Sequence, residues 1–232
     1  MMQLKVEHSE KVAGEASELS AELGWPEPDR FIAGVLGLFH DIGRFSQFAE
    51  FGTYSDRDSV DHGDRGGRVV EENNMLRSLS ANERAVILDG ICHHNGRTIP
   101  RGLSIRSLLF VSLIRDCDKL DIYRVVLESV NRDGFQDLTT ILPGVSLDRL
   151  VSDAMIEEFK SGKSCSIADV KTLGDFLLMQ LSWIYEMSYA PALKKIADKR
   201  ILQDLLGHIE IPPGEEIEKR AMQYIARKLE RE

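Results

Sequence analysis

Long hydrophobic runs are missing from this chain of 232 residues. No apolar stretch approaches the roughly 20 residues of a membrane-spanning helix, and Met1-Met-Gln-Leu-Lys5 lacks the apolar centre of a signal peptide. Cysteine is scarce: Cys92, Cys117 and Cys165 follow no pairing motif, which speaks against a disulfide scaffold and leaves a reducing cytoplasm as the expected location. There is no basic tract, and the formal net charge is −9, so nucleic-acid polymers are not expected as the main partner. Internal repeats, low-complexity linkers and alternating apolar–polar strands are absent too.

What is present has helical period. Segments at about 2–23, 29–42, 60–73, 81–94, 104–131, 147–160, 166–187, 189–206 and 215–231 repeat their apolar positions at helical steps, and 132–146 reads as a loop. The expected fold is all-α, with one sizeable core or one core plus an appendage. Ser80-Ala-Asn-Glu83 has capping-box spacing, and Asn95-Gly96 reads as a helix stop. Further on, Leu173, Phe176, Leu177, Gln180, Leu181, Ile184 and Met187 form a broad stripe suited to packing or to a homodimer. Trp183, Tyr185 and Tyr189 are read as packing residues, and Glu215–Glu232 as a charged peripheral helix.

The chemistry lies in the histidines. Five of six (His8, His40, His62, His93, His94; the sixth is His208) fall in the first 94 residues. His40-Asp41 closes the apolar run Phe31–Phe39. Adjacent helix residues point about 100° apart and rarely serve one packing face, but both can reach a metal beyond a helix end. His8 shares a stripe with Leu4, Val12, Ala16, Leu19 and Leu23. His62 opens a helix, and His93-His94 closes another beside Cys92. Asp118 sits with Asp116 and Asp121 in an apolar helix, where three carboxylates repel unless a cation is near. Separately these fit a satisfied core histidine, an exposed first turn, a helix C-terminus and a solvated stripe. Together, one cluster of mixed His and Asp ligands accounts for them all. Such donors suit borderline divalent metals: Fe, Mn, Co, Ni or Zn.

The ordered set His8, His40-Asp41, His62, His93-His94, Asp118 resembles the HD-domain superfamily of metal-dependent phosphohydrolases. The local strings Phe39-His-Asp-Ile-Gly-Arg44, Asp61-His62, Cys92-His-His94 and Asp118-Lys-Leu-Asp121 match as well. The resemblance covers roughly residues 1–125 and looks like a subgroup known only as HD-domain hydrolases. It implies a helical bundle at 1–131 with additional C-terminal helices at 132–232 packed on it. It also implies one metal held by His8, His40, Asp41 and Asp118, and Asp41 bridging to a second held by His62, His93 and His94. The departures narrow the activity. Asn95-Gly-Arg replaces the Gly-Tyr-Pro of cyclic-dinucleotide phosphodiesterases, and Phe45-Ser-Gln-Phe48 replaces the acidic pair of alarmone hydrolases. Leu4 stands where trinuclear members place a glutamate.

A bridged pair of metals supplies a water-derived nucleophile near neutral pH, leaving the protein to neutralise a phosphate. Residues 40–124 carry eleven arginines and one lysine against thirteen carboxylates, and arginine is the residue of bidentate phosphate recognition. Arg44, one turn past His40, is the first candidate clamp, followed by Arg97 and Arg65; ordinary surface arginines remain the alternative. Phe45, Phe48, Phe51 and Tyr54 fit a substrate pocket, a lid, or the anchors of a long loop. The expected partner is a small phosphorylated substrate, a nucleotide among the candidates, and Asp41 and Arg44 are the expected catalytic residues. Two other readings stand beside this one: an iron-dependent oxygenase on the same ligands, and a regulatory metal-binding module.

Overall fold

No proline interrupts the chain before Pro26, and the first helix runs unbroken: α1 spans Met2–Glu22 in the computed structural model, which describes residues 2–213 and 216–230. It buries His8, Val12, Ala16 and Leu19 on one face. α2 (Glu27–Phe39) follows Pro26 and carries Pro28 in its first turn, where a missing N–H breaks no helical bond. Ile32, Ala33 and Leu36 are fully buried as α2 packs along α1. The two backbones approach closely at Gly37, where a Cβ would stand 2.6 Å from the Ala13 Cα.

The helix expected over 29–42 stops short. Asp41, at φ −100° and ψ 12°, breaks the chain direction, and a separate helix α3 occupies Ile42–Phe51, ended by Gly52 in the left-handed region. The aromatic segment read as a loop is therefore helical up to Phe51. Its apolar side (Phe45, Phe48) is only half buried, while Gly43 and Gln47 are buried. A polar buried side hides such a helix from a periodicity reading.

α4 (His62–Glu72) is capped by Asp61, whose side chain accepts from the Asp64 N–H at 2.9 Å. α5 (Ala81–His93) opens on the anticipated capping box: Ser80 Oγ accepts from the Glu83 N–H, and the Glu83 carboxylate accepts from the Ser80 N–H. α6 (Ile105–Asp133) is the longest helix, with Phe110, Val111, Leu113, Ile114 and Cys117 essentially inaccessible.

Two compact units divide the chain, Met1–Asp121 and Ile122–Glu232, so the division falls inside α6 rather than at its end. The second unit is more broken than its periodicity suggested. A short α7 (Leu138–Ile141) lies within the expected loop, and the segment expected helical from 147 starts only at α8 (Asp153–Lys160). Ser146 and Leu150 instead form isolated bridges with Thr172 and Glu210. α9 (Leu173–Leu181) passes into a 3-10 turn at Ser182–Glu186. Pro191 restarts the chain as α10 (Ala190–Asp198), and Arg200, at φ 55°, separates it from α11 (Ile201–Leu206). α12 covers Ile217–Leu229. The expected stripe from Leu173 to Met187 is buried. The described residues form no strand; the fold is all-α, and no helix is long and apolar enough to cross a membrane.

Gly43 controls how closely α3 meets α4. A Cβ there would fall 2.0 Å from the His62 carbonyl oxygen and 2.6 Å from the Gly66 nitrogen, both backbone atoms that no rotamer change can move. Gly43→Ala should cost about 1–3 kcal/mol despite alanine's better helix propensity. A lowered denaturation midpoint is the expected result; an unchanged one would show that α4 shifts freely.

Candidate metal centre

Four imidazoles turn the same ring atom toward one point. The Nε2 atoms of His8 and His40 lie 3.2 Å apart, and those of His62 and His94 lie 3.0 Å apart. Each opposite nitrogen is occupied. Nδ1 of His40 donates to the Gly37 carbonyl at 2.7 Å, and Nδ1 of His94 to the Ile91 carbonyl at 2.8 Å. Nδ1 of His8 faces Asp121 at 2.7 Å, and Nδ1 of His62 faces Asp56 at 2.6 Å. A carbonyl or carboxylate only accepts, so the proton of each neutral ring belongs on Nδ1. All four Nε2 lone pairs then point inward. Two lone pairs at about 3 Å repel unless a proton or a metal ion lies between them, so these donors fit a metal.

Asp41 sits between the two histidine pairs. Its Oδ2 faces His8 at 3.8 Å and His40 at 4.0 Å; its Oδ1 faces His62 at 3.3 Å and His94 at 3.7 Å. Asp118 joins the first pair, 3.0 Å from His8 Nε2 and 3.6 Å from His40 Nε2. Three groupings have ligand atoms all within 4.8 Å of one another: His8–His40–Asp41, His40–His94–Asp118 and Asp41–His62–His94. His8 of α1, His62 of α4 and Asp118 of α6 meet His94 just past the end of α5 and His40-Asp41 at the α2–α3 break, all in the first unit.

The electrostatics follow from burial. Desolvation would push Asp41 and Asp118 toward the neutral form. For Asp41 it is outweighed by Lys5 and by His94, His40 and His62, and for Asp118 by His40 and His8, so both stay well below the usual carboxylate range. Burial lowers His8, but its hydrogen bonds to Asp118 and Asp121 prevail and lift it to about 9.

Lys5, one turn before His8, places its ammonium 2.7 Å from Asp41 Oδ2 with about a quarter of its side chain exposed. Asp56, on the 3-10 turn Asp56–Asp58, accepts from Arg44 at 2.8 Å and from Gln47 at 2.9 Å as well as from His62. Asp121 and Asn95, which donates to Asp61 at 3.0 Å beside His62, complete the surround. None of Lys5, Asp56 or Asn95 figured among the expected site residues. Lys5 shares the i, i+3 spacing of His8 and Asp121 that of Asp118, a legible signal; Asp56 reaches His62 through an irregular turn that carries none.

The other expected residues lie apart from the ligand cluster. The half-buried His93 enters none of the three groupings, whereas the buried His94 enters two of them. The His93 and His94 carbonyls accept from Arg115, which closes the end of α5. Arg44 faces Asp41 with Nε at 3.5 Å, while its Nη1 is held by Asp56, Gln47 and the Tyr54 carbonyl. Arg65 bonds Glu50 at 2.6 Å and Ser46 at 3.0 Å, tying α4 to α3. Arg97 is exposed.

The family model described as HD domain matches residues 6–123, half of the chain and every residue of this cluster. The chain belongs to the HD-domain family. No curated protein and no solved structure matches it. HD domains bind divalent metals and are mostly metal-dependent hydrolases, and the buried His/Asp cluster accords with both. His40-Asp41 is the dipeptide at the centre of the cluster, and Lys5 lies just outside the matched segment.

A metal held by His8 would displace the His8 proton, so affinity should weaken as pH falls from about 9 toward 6. Calorimetric titration with manganese in buffers of different ionisation enthalpy should register about one proton released near neutral pH. Heat independent of the buffer would contradict the assignment of His8 as a ligand.

Proposed function

We propose that this HD-domain protein is a metal-dependent phosphohydrolase that cleaves a phosphate ester of a nucleotide or similar small molecule at a binuclear centre. The observation that carries the reading is the orientation of Asp41, whose two oxygens face different histidine pairs, as a bridging carboxylate requires. One ion would be held by His8, His40, Asp118 and Asp41 Oδ2, the other by His62, His94 and Asp41 Oδ1. When bound, divalent ions would lower the pKa of a water and neutralise phosphoryl charge.

The remaining work falls to this chain's own side chains. The Asp121–His8 and Asp56–His62 bonds fix ring orientation and tautomer, and the Gly37 and Ile91 carbonyls do the same for His40 and His94. Arg44 holds Asp56 in place, a positioning role that engages the guanidinium expected as the clamp. Lys5 is the better-placed cation: partly exposed beside Asp41, it is available to a phosphoryl oxygen once metal takes over the carboxylate. Arg97 remains an exposed second candidate, and the half-buried, acid-paired Arg65 a weaker one.

Protein purified without chelator should contain about two metals per chain and release phosphate from a nucleotide panel under manganese, cobalt or iron. Bound iron with no ester hydrolysed would overturn the hydrolase reading in favour of an oxygenase. Asp41→Ala should lose both activity and metal, with affinity at least about 100-fold weaker; two metals and full activity in that variant would refute the bridge. Lys5→Ala should keep its metal yet lose about 100-fold in kcat/KM, with partial recovery in Lys5→Arg. Unchanged kinetics would remove Lys5 as the clamp.

A further inference from the structure

The second unit contains a cationic concavity with no part in the metal chemistry. On α12, Ile217, Ala221 and Ile225 are buried, and the opposite flank carries Arg220, Tyr224, Arg227 and Lys228 at the i, i+4, i+7 and i+8 steps of one helix face. That face borders a cavity of about 360 Å³, which Lys160 and Tyr185 help to close and which, among the described residues, no carboxylate lines. This is a local excess of four positive charges in a chain whose net charge is −9.

A solvated helix face normally interleaves its charges, and here the acids point elsewhere: Glu216 pairs with Lys219, and Glu218 accepts from Gln203. Among the described residues Arg220, Arg227 and Lys228 form no ion pair, while Lys160 pairs with Glu157 at 2.9 Å. The cations also converge in space. Lys228 Nζ lies 5.7 Å from the Tyr224 ring centroid, and that ring meets Tyr185 edge-on at 4.8 Å. Burial lifts the Tyr185 hydroxyl to about 12, and both Arg220 and Arg227 work against that rise, so their fields reach the cavity wall. Guanidinium groups that lack carboxylate partners, set beside aromatic rings, match a ligand with clustered phosphate oxygens and a planar ring.

We propose that this concavity is a second ligand site, independent of the metal centre, for a nucleoside di- or triphosphate. The arginines and lysines hold the phosphates, and the two tyrosines border the base. The size agrees with the lower range of small-molecule sites.

The test is isothermal titration of the metal-loaded full chain with the methylene analogue of ADP, which resists hydrolysis. Methylenediphosphonate, adenosine and a short single-stranded RNA serve as comparison ligands. In an Asp41→Asn background, binding of the nucleotide analogue should persist. Adding Arg220→Glu and Arg227→Glu, both at exposed positions, should weaken it at least tenfold with unchanged helical circular dichroism. Methylenediphosphonate and adenosine should each bind more weakly than the analogue. Several results would overturn the proposal: no binding, equal affinity with and without the two reversals, or loss on Asp41→Asn alone. Methylenediphosphonate binding as tightly as the analogue would remove the tyrosines from recognition, and tighter RNA binding would reassign the surface to a polymer.

Discussion

Mutual repulsion among lone pairs is the constraint on which this structure turns. Four imidazole nitrogens and two carboxylates converge on one small buried volume, a gathering that costs free energy unless positive charge fills it. Without metal, the His8 proton and the Lys5 ammonium meet part of that demand. A site that already draws in protons and an ammonium is electrostatically prepared for divalent cations. The same logic explains the outer ring of acceptors, because each ring must give its Nδ1 proton to a partner before its Nε2 can face inward.

Helix geometry is bent to serve that point. A continuous helix through 29–42 would carry His40 and Asp41 about 100° apart. The break at Asp41 ends α2, starts α3 and leaves the carboxylate between two histidine pairs. The close approach of α3 to α4 at Gly43 then brings His62 within 3.3 Å of Asp41. Small residues at that crossing are as much part of the centre as its ligands. The arginines expected to bind phosphate mostly build this frame: Arg44 secures Asp56, Arg65 joins α3 and α4, and Arg115 closes α5 below His94.

Legibility differed sharply between the halves of the chain. The capping box at Ser80, the apolar stripe of α1 and the long α6 were readable, because helical period and caps are local properties written in adjacent residues. The second unit was not. Its breaks at Arg200 and around Ser146–Leu150 come from a strained backbone position and from bridges to distant segments, and neither alters the apolar periodicity. At the site, residue type pointed to His8, His40, Asp41, His62 and Asp118 and to both His93 and His94, of which only His94 joins the cluster. Choosing required the rotational phase at which α5 ends.

By itself the sequence determined the helical class, the family and the inventory of donors, since composition, period and motif order need no third dimension. Tertiary structure alone decided which nitrogen of each ring faces inward, that Asp41 presents one oxygen to each pair, and that Asp56 belongs to the centre. Those facts depend on contacts across sequence separations of 32 residues between His8 and His40 and 113 between His8 and Asp121. Only the packing of helices against one another sets such distances, and no pattern of neighbouring residues encodes them.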